Sequence, residues 1–353
     1  MKSKIKQSLF LIIASLLAVF FVVVTVKQID FERVAKVLKQ TNYFWIFASM
    51  AISILTYWIR AARWNLLLKP MGYNTQTSSG FWAIAFAYFM NLTIPRSGEV
   101  ARATSFYKME KVPFEKSFGT VVLERVIDVL FLGLFFSLTL IFNYETFLKF
   151  VELGNKEKAH QPTTEPSFLK YYIAIGVLVL GIGLIAIFWK KINQLKFFEK
   201  IKTFLFGLWE GIKSISKLEK RGLFIFYSFA LWICYFLMTF LVFFAFPDTK
   251  KFGIPEGLFL LIAGSLGMIL PVSGGLAYPY IMSIAFSAVY LAKGGDQHEG
   301  RAIGDYFGLI LYIAQVISMI SFGLIAIYKI ARIRRDSTPV SYTHLTLPTI
   351  CSV

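Results

Sequence analysis

Arg96, Glu99 and Arg102 arrive within seven residues, directly after a stretch from 74 to 95 that carries no charged side chain. If the chain is helical beyond Ser97, the three fall at i, i+3 and i+6 and share one stripe. Two guanidiniums so placed can grip a phosphate, and the carboxylate between them can pair with an arginine or with a cationic group. Pro95 and Gly98 interrupt the helix where the charges begin, which frees backbone groups to line a polar cavity. A second charged set, Glu124, Arg125 and Asp128, lies near the start of a later apolar run. Two blander readings stay open. The first stretch also reads as a plain membrane helix ending at Pro95 before an ordinary loop, and the second set as a neutralised packing cluster near the interface.

The elements that must position these groups are membrane helices. Hydrophobic residues make up 57% of the 353-residue chain, charged residues only 16%, and the mean hydropathy is +0.64. A soluble domain carries roughly 25% charged residues, so the composition points to an all-α polytopic membrane protein. The net charge of +17 comes from Lys and Arg that lie between apolar runs. The partner this implies is an anionic membrane surface and not nucleic acid. Two cysteines give no disulfide framework, and three histidines outside the apolar runs give no ligand spacing. No metal, cofactor or nucleotide motif is expected, and no nucleophile–base pair marks an enzyme.

In chain order, a basic start precedes an apolar run at 8–26, too long for a signal-peptide core, which places the N-terminus in the cytoplasm. An amphipathic helix is expected at 30–40 and a second span at 43–59, with Arg60, Arg63 and Lys69 then cytoplasmic. The broken stretch runs from 78 to 109, and a third span from 118 to 142. A loop at 143–169 and a span at 171–189 follow. The segment 190–221 holds nine Lys or Arg against three Glu, and its apolar residues recur at helical spacing. That predicts a basic amphipathic helix at 194–219 on the inner leaflet. A span at 223–246 leads to an uncharged stretch, 257–292, broken at Pro271, Gly274, Gly275 and Pro279. The last span is 303–328, with a basic, cytoplasmic end after it.

Parity supports reading both broken stretches as hairpins. The three strongly basic regions should share one side, and they do so when each broken stretch makes no net crossing. The expectation is about six full transmembrane helices plus two broken re-entrant hairpins. The two breaks also resemble each other: Ile94-Pro95-Arg96-Ser97-Gly98-Glu99-Val100-Ala101 and Leu270-Pro271-Val272-Ser273-Gly274-Gly275-Leu276-Ala277. Each half reads span, amphipathic helix, span, broken hairpin, span, starting from opposite sides. That is the pattern of an inverted repeat, whose site forms where the broken elements meet.

At these residues the sequence resembles the transmembrane domain of the lysylphosphatidylglycerol synthase family, the flippase-like domain proteins. The resemblance rests on Asn91, Pro95-Arg96, Gly98-Glu99, Arg102, Glu124-Arg125, Asp128, Pro271, Gly274-Gly275-Leu276, Gly304 and Gln315, and covers about 4–335. Ala277 departs from it, standing where a glycine is common. It implies a lipid-translocating domain without the soluble aminoacyl-transferase part, so the synthase activity is not carried over. Residues 1–339 are then expected to form one integral membrane domain, with halves at about 8–142 and 171–328. Residues 340–353 resemble the translated read-through of a sequencing-library adapter, and fold reasoning stops before them.

The leading expectation is a protein that binds and translocates phospholipid or lipid-linked head groups in a bacterial-type plasma (inner) membrane, with both termini cytoplasmic. Arg96 and Arg102 would bind phosphate, Glu99 would pair with an arginine or a cationic head group, and Glu124, Arg125 and Asp128 would complete the network or gate it. Gly98, Gly274 and Gly275 would let backbone approach the ligand, with Asn91, Pro95, Pro271, Ser273 and Gln315 completing the candidate site. The alternatives are a secondary transporter of a small anion and a non-transporting membrane subunit of a lipid or envelope enzyme.

Overall fold

A computed structural model of the chain describes residues 31–94, 96–159, 218–269 and 277–336. The expectations for spans at 8–26 and 171–189, for the amphipathic helix at 194–219, for Pro95, for the turn containing Pro271, Ser273, Gly274 and Gly275, and for the tail at 340–353 lie outside the described residues.

The described residues form ten α-helices, here α1 (Phe31–Gln40), α2 (Tyr43–Leu68), α3 (Thr77–Thr93), α4 (Gly98–Glu110), α5 (Phe114–Phe142), α6 (Tyr144–Ala159), α7 (Arg221–Phe240), α8 (Ile254–Ile269), α9 (Ala277–Ala292) and α10 (Gln297–Asp336). Four of them, α2, α5, α7 and α10, are long and apolar enough to cross a bilayer, counting the short turns that extend α2 and α7; α8 and α9 are shorter and equally apolar. About 20 apolar residues span the hydrocarbon core. The outward faces are mainly apolar, as a lipid-solvated surface requires: Val129, Leu130, Leu134 and Ile141 on α5, and Ile317, Ile320 and Leu324 on α10 are exposed.

Three of the boundaries that differ from the sequence reading do so for a clear physical reason. The second span does not stop at 59; α2 runs on through Leu68, so Arg60 and Arg63 are buried helical residues and not a cytoplasmic loop. The region expected as a loop at 143–169 begins as helix α6, which packs Phe147, Phe150 and Leu153 inward at helical spacing. Pro279 does not break its segment. It falls in the first turn of α9, where its missing N–H costs no intrahelical bond.

Two helix pairs fold back on themselves. The end of α3 meets the start of α4, where the Gly98 N–H donates to Asn91 Oδ1 at 2.7 Å, and the Gln76 N–H reaches Glu110 Oε1 at the other end at 3.4 Å. Likewise α8 ends against the start of α9, with Gly267 tight on Tyr278, while Lys293 after α9 pairs with Glu256 at the start of α8 at 2.6 Å. Around these pairs, α2 packs on α7 and α3, α3 on α10, α8 on α5, and α9 on α10. Inside a bilayer such contacts are driven by close packing more than by escape from water. Small residues supply it: a Cβ on Gly304 would lie 2.5 Å from Ser283 Cα, and one on Gly308 would lie 3.0 Å from Pro279 Cα. The largest apolar cluster joins α9 and α10 to the turn after α7, with Phe286 and Phe307 rings 4.8 Å apart.

Candidate functional site

A buried charge survives only if it is paired and hydrogen-bonded, so the arginines on α2, α4 and α5 dictate what surrounds them. Arg102 of α4 donates to Glu124 Oε2 of α5 at 2.6 Å, with side chains 3% and 0% exposed. Its guanidinium lies 3.8 Å from the Trp64 ring centroid, and the Trp64 indole N–H is held by Thr120 Oγ1 at 2.7 Å. Arg63, fully buried on α2, donates to Asp128 Oδ1 at 2.8 Å and to Ser228 Oγ of α7 at 3.2 Å; its Nε lies 3.8 Å from Glu124 Oε1. One turn earlier, Arg60 donates to the Tyr235 hydroxyl at 2.6 Å and lies 3.5 Å from Asp128 Oδ2. Arg125 approaches the same Asp128 oxygen at 3.5 Å and reaches Glu99 at 3.3 Å.

The set holds four arginines and three carboxylates, which leaves one positive charge in excess. Its members differ in tightness. The Arg102–Glu124 and Arg63–Asp128 contacts have the short distances of charge-assisted hydrogen bonds, whereas both contacts to Asp128 Oδ2 are long. Arg125 is also the one arginine of the four whose side chain is about half exposed.

The break between α3 and α4 is built by two side chains. Asn91 caps the start of α4 through the Gly98 N–H, and Ser97 Oγ donates to the carbonyls of Ile94 and Met90. A Cβ on Gly98 would lie 2.7 Å from the Ala87 carbonyl oxygen, so glycine is required for this approach. Arg96 sits in the turn with φ +60° and is exposed; its guanidinium reaches the Ile269 carbonyl at 3.5 Å. Because α4 begins at Gly98, Arg96 does not share the helical stripe expected for it with Glu99 and Arg102.

A cavity of about 420 Å³ opens beside the network. Its polar end is formed by Arg60, Arg125 and Asp128, and its walls are mostly apolar side chains from α5, α7, α8 and α10. Tyr57, Tyr88, Tyr235 and Gln315 add polar edges, with Tyr57 and Tyr88 stacked at 4.8 Å. Val129 of α5 and Met268 and Ile269 of α8 line it while being 63%, 49% and 53% exposed, so its mouth lies at that seam. A smaller space of about 20 Å³ at the α3–α4 break shares Arg60, Tyr88 and Arg125 with it and adds Asn91, Gly98, Glu99 and Arg102.

The structure therefore brings Asn91, Gly98, Glu99, Arg102, Glu124, Arg125 and Asp128 together, and places Gln315 across the cavity from them. Arg96 lies outside the ion-pair network, at the turn, with its guanidinium 3.5 Å from the carbonyl of Ile269 at the cavity mouth. Arg60, Arg63, Trp64 and Tyr235 belong to the same network and were not among the expected residues. The available signal was apolar sequence continuing past Arg63 through Trp64 and Leu66 to Leu68, which carries both arginines inside one helix. Among the described residues, no group of three His, Cys, Asp or Glu side chains could hold a metal ion.

Residues 11–317 match the family described as Lysylphosphatidylglycerol synthase TM region. The chain is 34% identical over 144 residues to the UPF0104 membrane protein MJ1595 of Methanocaldococcus jannaschii, a match covering 40% of this chain and 42% of that protein. It is 25% identical over 281 residues to the UPF0104 membrane protein PH1989 of Pyrococcus horikoshii, covering 75% and 82%. A match to the glycosyltransferase AglD of Haloferax volcanii, 25% identical over 130 residues, covers 36% of this chain and 21% of that protein. No solved structure matches.

Proposed function

The chain belongs to the lysylphosphatidylglycerol synthase TM region family, and from that premise we propose that it binds a phospholipid or lipid-linked head group and moves it between leaflets. The observation that carries this reading is the cavity with one charged end. An apolar space of about 420 Å³, with Arg60, Arg125 and Asp128 at one end and a mouth at an exposed apolar seam, suits an amphiphile. The head group meets guanidinium while its tails stay against Leu261, Met268 and Leu311 or pass out to lipid. A cavity for a small hydrophilic anion would instead be polar on most sides.

The fold-back pairs α3–α4 and α8–α9 are assigned as two re-entrant hairpins of an inverted repeat. Exchange of packing partners supports this: α3 packs on the last helix of the other half, α10, while α8 packs on the last helix of the first half, α5, and α2 packs on its counterpart α7. The protein lies in the plasma membrane of a bacterial-type cell with both termini cytoplasmic, its basic segments on the anionic inner face. The proposal contains no bond-making step, so the chain acts as a carrier and not as an enzyme.

The test is leaflet exchange in liposomes containing the purified protein, with fluorescent anionic and zwitterionic lipids. Exchange by the wild type that falls at least about tenfold in Arg125→Gln supports the reading. No exchange by folded wild-type protein overturns it, and uptake of a soluble anion by the same vesicles would replace it with small-anion transport.

A further inference from the structure

Arg102 was, with Arg96, one of the two arginines on which the sequence placed a phosphate, yet it is closed off inside the network. It is 3% exposed, locked on Glu124 at 2.6 Å and stacked on Trp64, and it does not line the large cavity. Arg60 and Arg125 do line it. They approach one carboxylate oxygen, Asp128 Oδ2, from two helices, each at 3.5 Å, while Arg63 holds the other oxygen of Asp128 at 2.8 Å. The Nε and Nη1 of Arg60 are buried with no hydrogen-bond partner among the described residues, although the side chain is 5% exposed. Two cations thus share half of a carboxylate at distances well beyond a charge-assisted hydrogen bond, and donors are left over.

We propose that Arg60 and Arg125 are the clamp for a phosphoryl group, with Asp128 Oδ2 as the stand-in counter-ion that the phosphoryl oxygens displace. This rests on the reading of a phosphate-headed ligand and names the residues that select it. Arg63 keeps Asp128 in place during the exchange through Oδ1, so the carboxylate remains paired when its other oxygen is released. Tyr235 orients Arg60 by accepting from Nη2 at 2.6 Å, which leaves Nη1 and Nε for the ligand. Glu99 competes with the ligand for Arg125, because it holds that guanidinium at 3.3 Å. The tight Arg102–Glu124 pair is scaffold.

Binding is measured on the full-length protein in detergent with three probes: dioctanoyl phosphatidylglycerol, dioctanoylglycerol and inorganic phosphate. Wild type is expected to bind the first and not the second. Arg125→Gln is expected to weaken phosphatidylglycerol binding by about tenfold or more, and Arg125→Lys to recover part of it, since an ammonium supplies charge without the fork. Glu99→Gln, which frees Arg125, is expected to tighten binding several-fold; a merely structural role for the Glu99–Arg125 pair would weaken or spare it. Both positions are partly exposed, so the variants are expected to fold, and size-exclusion profiles matching wild type verify that. Unchanged affinity in folded Arg125→Gln, with wild type binding phosphatidylglycerol, overturns the clamp and leaves lipid binding standing. Wild type that binds neither lipid overturns the ligand reading and the clamp with it, and a response to inorganic phosphate alone overturns the lipid half of the proposal.

Discussion

Removing Glu124 should be the most damaging single change in the network. The carboxylate is fully buried and faces two guanidiniums, Arg102 at 2.6 Å and Arg63 at 3.8 Å. Glu124→Ala leaves Arg102 buried with only the Trp64 face for company, while Arg63 keeps Asp128 at 2.8 Å. Breaking a buried pair from one side costs about 3–5 kcal/mol, because the remaining charge is uncompensated. That is a shift on the order of a hundredfold or more in the unfolding equilibrium. Replacing both partners removes the orphan as well as the bond, so Glu124→Leu with Arg102→Met should cost clearly less than Glu124→Ala alone. The assay is equilibrium unfolding in mixed micelles followed by tryptophan fluorescence, with Trp64 inside the perturbed site. A Glu124→Ala cost below about 1 kcal/mol, the range of exposed pairs, would refute the reasoning, because the network would then have to be solvated. A double variant worse than the single would refute it too.

Two smaller predictions concern the frame around the site. Gly304→Ala forces a methyl against the Ser283 backbone at 2.5 Å, so α9 and α10 must separate, and the same unfolding assay should read a loss of about 1–3 kcal/mol. Lys111 ends α4 in the left-handed region at φ +58°, its N–H bonded to the Tyr107 carbonyl. Lys111→Gly keeps that bond and removes a Cβ penalty of about 1 kcal/mol, so the variant should unfold at higher denaturant than wild type.

The sequence reading succeeded where a local feature determined the outcome. Pro95 and Gly98 marked the α3–α4 break, and apolar runs marked α5, α7, α8, α9 and the middle of α10. It failed where a distant partner decides. Ending the second span at its first charge assumed that Arg60 and Arg63 must meet water. Their solvent is instead protein: Asp128 and Glu124 from α5, and Ser228 and Tyr235 from α7, more than 160 positions downstream in the case of Ser228. No windowed hydropathy can see such partners. The stripe of Arg96, Glu99 and Arg102 failed for the opposite reason, since one residue of left-handed turn at Arg96 is enough to take it off the helix. The α6 helix stands where a loop was expected, although Phe147, Phe150 and Leu153 recur at helical spacing in a segment whose charges balance.

Gly300, Gly304 and Gly308 recur every fourth residue along α10, and a methyl on any of them would collide with α9. Helices meshed this closely have no clearance to slide or roll against each other, so α9 and α10 form one stiff blade. Any alternation between inward-facing and outward-facing states must then find its hinge elsewhere. The candidate is the seam between α5 and α8 where the cavity opens. In the proposed carrier α9 and α10 would be the fixed blade, and the charged jaw would part at the long contacts to Asp128.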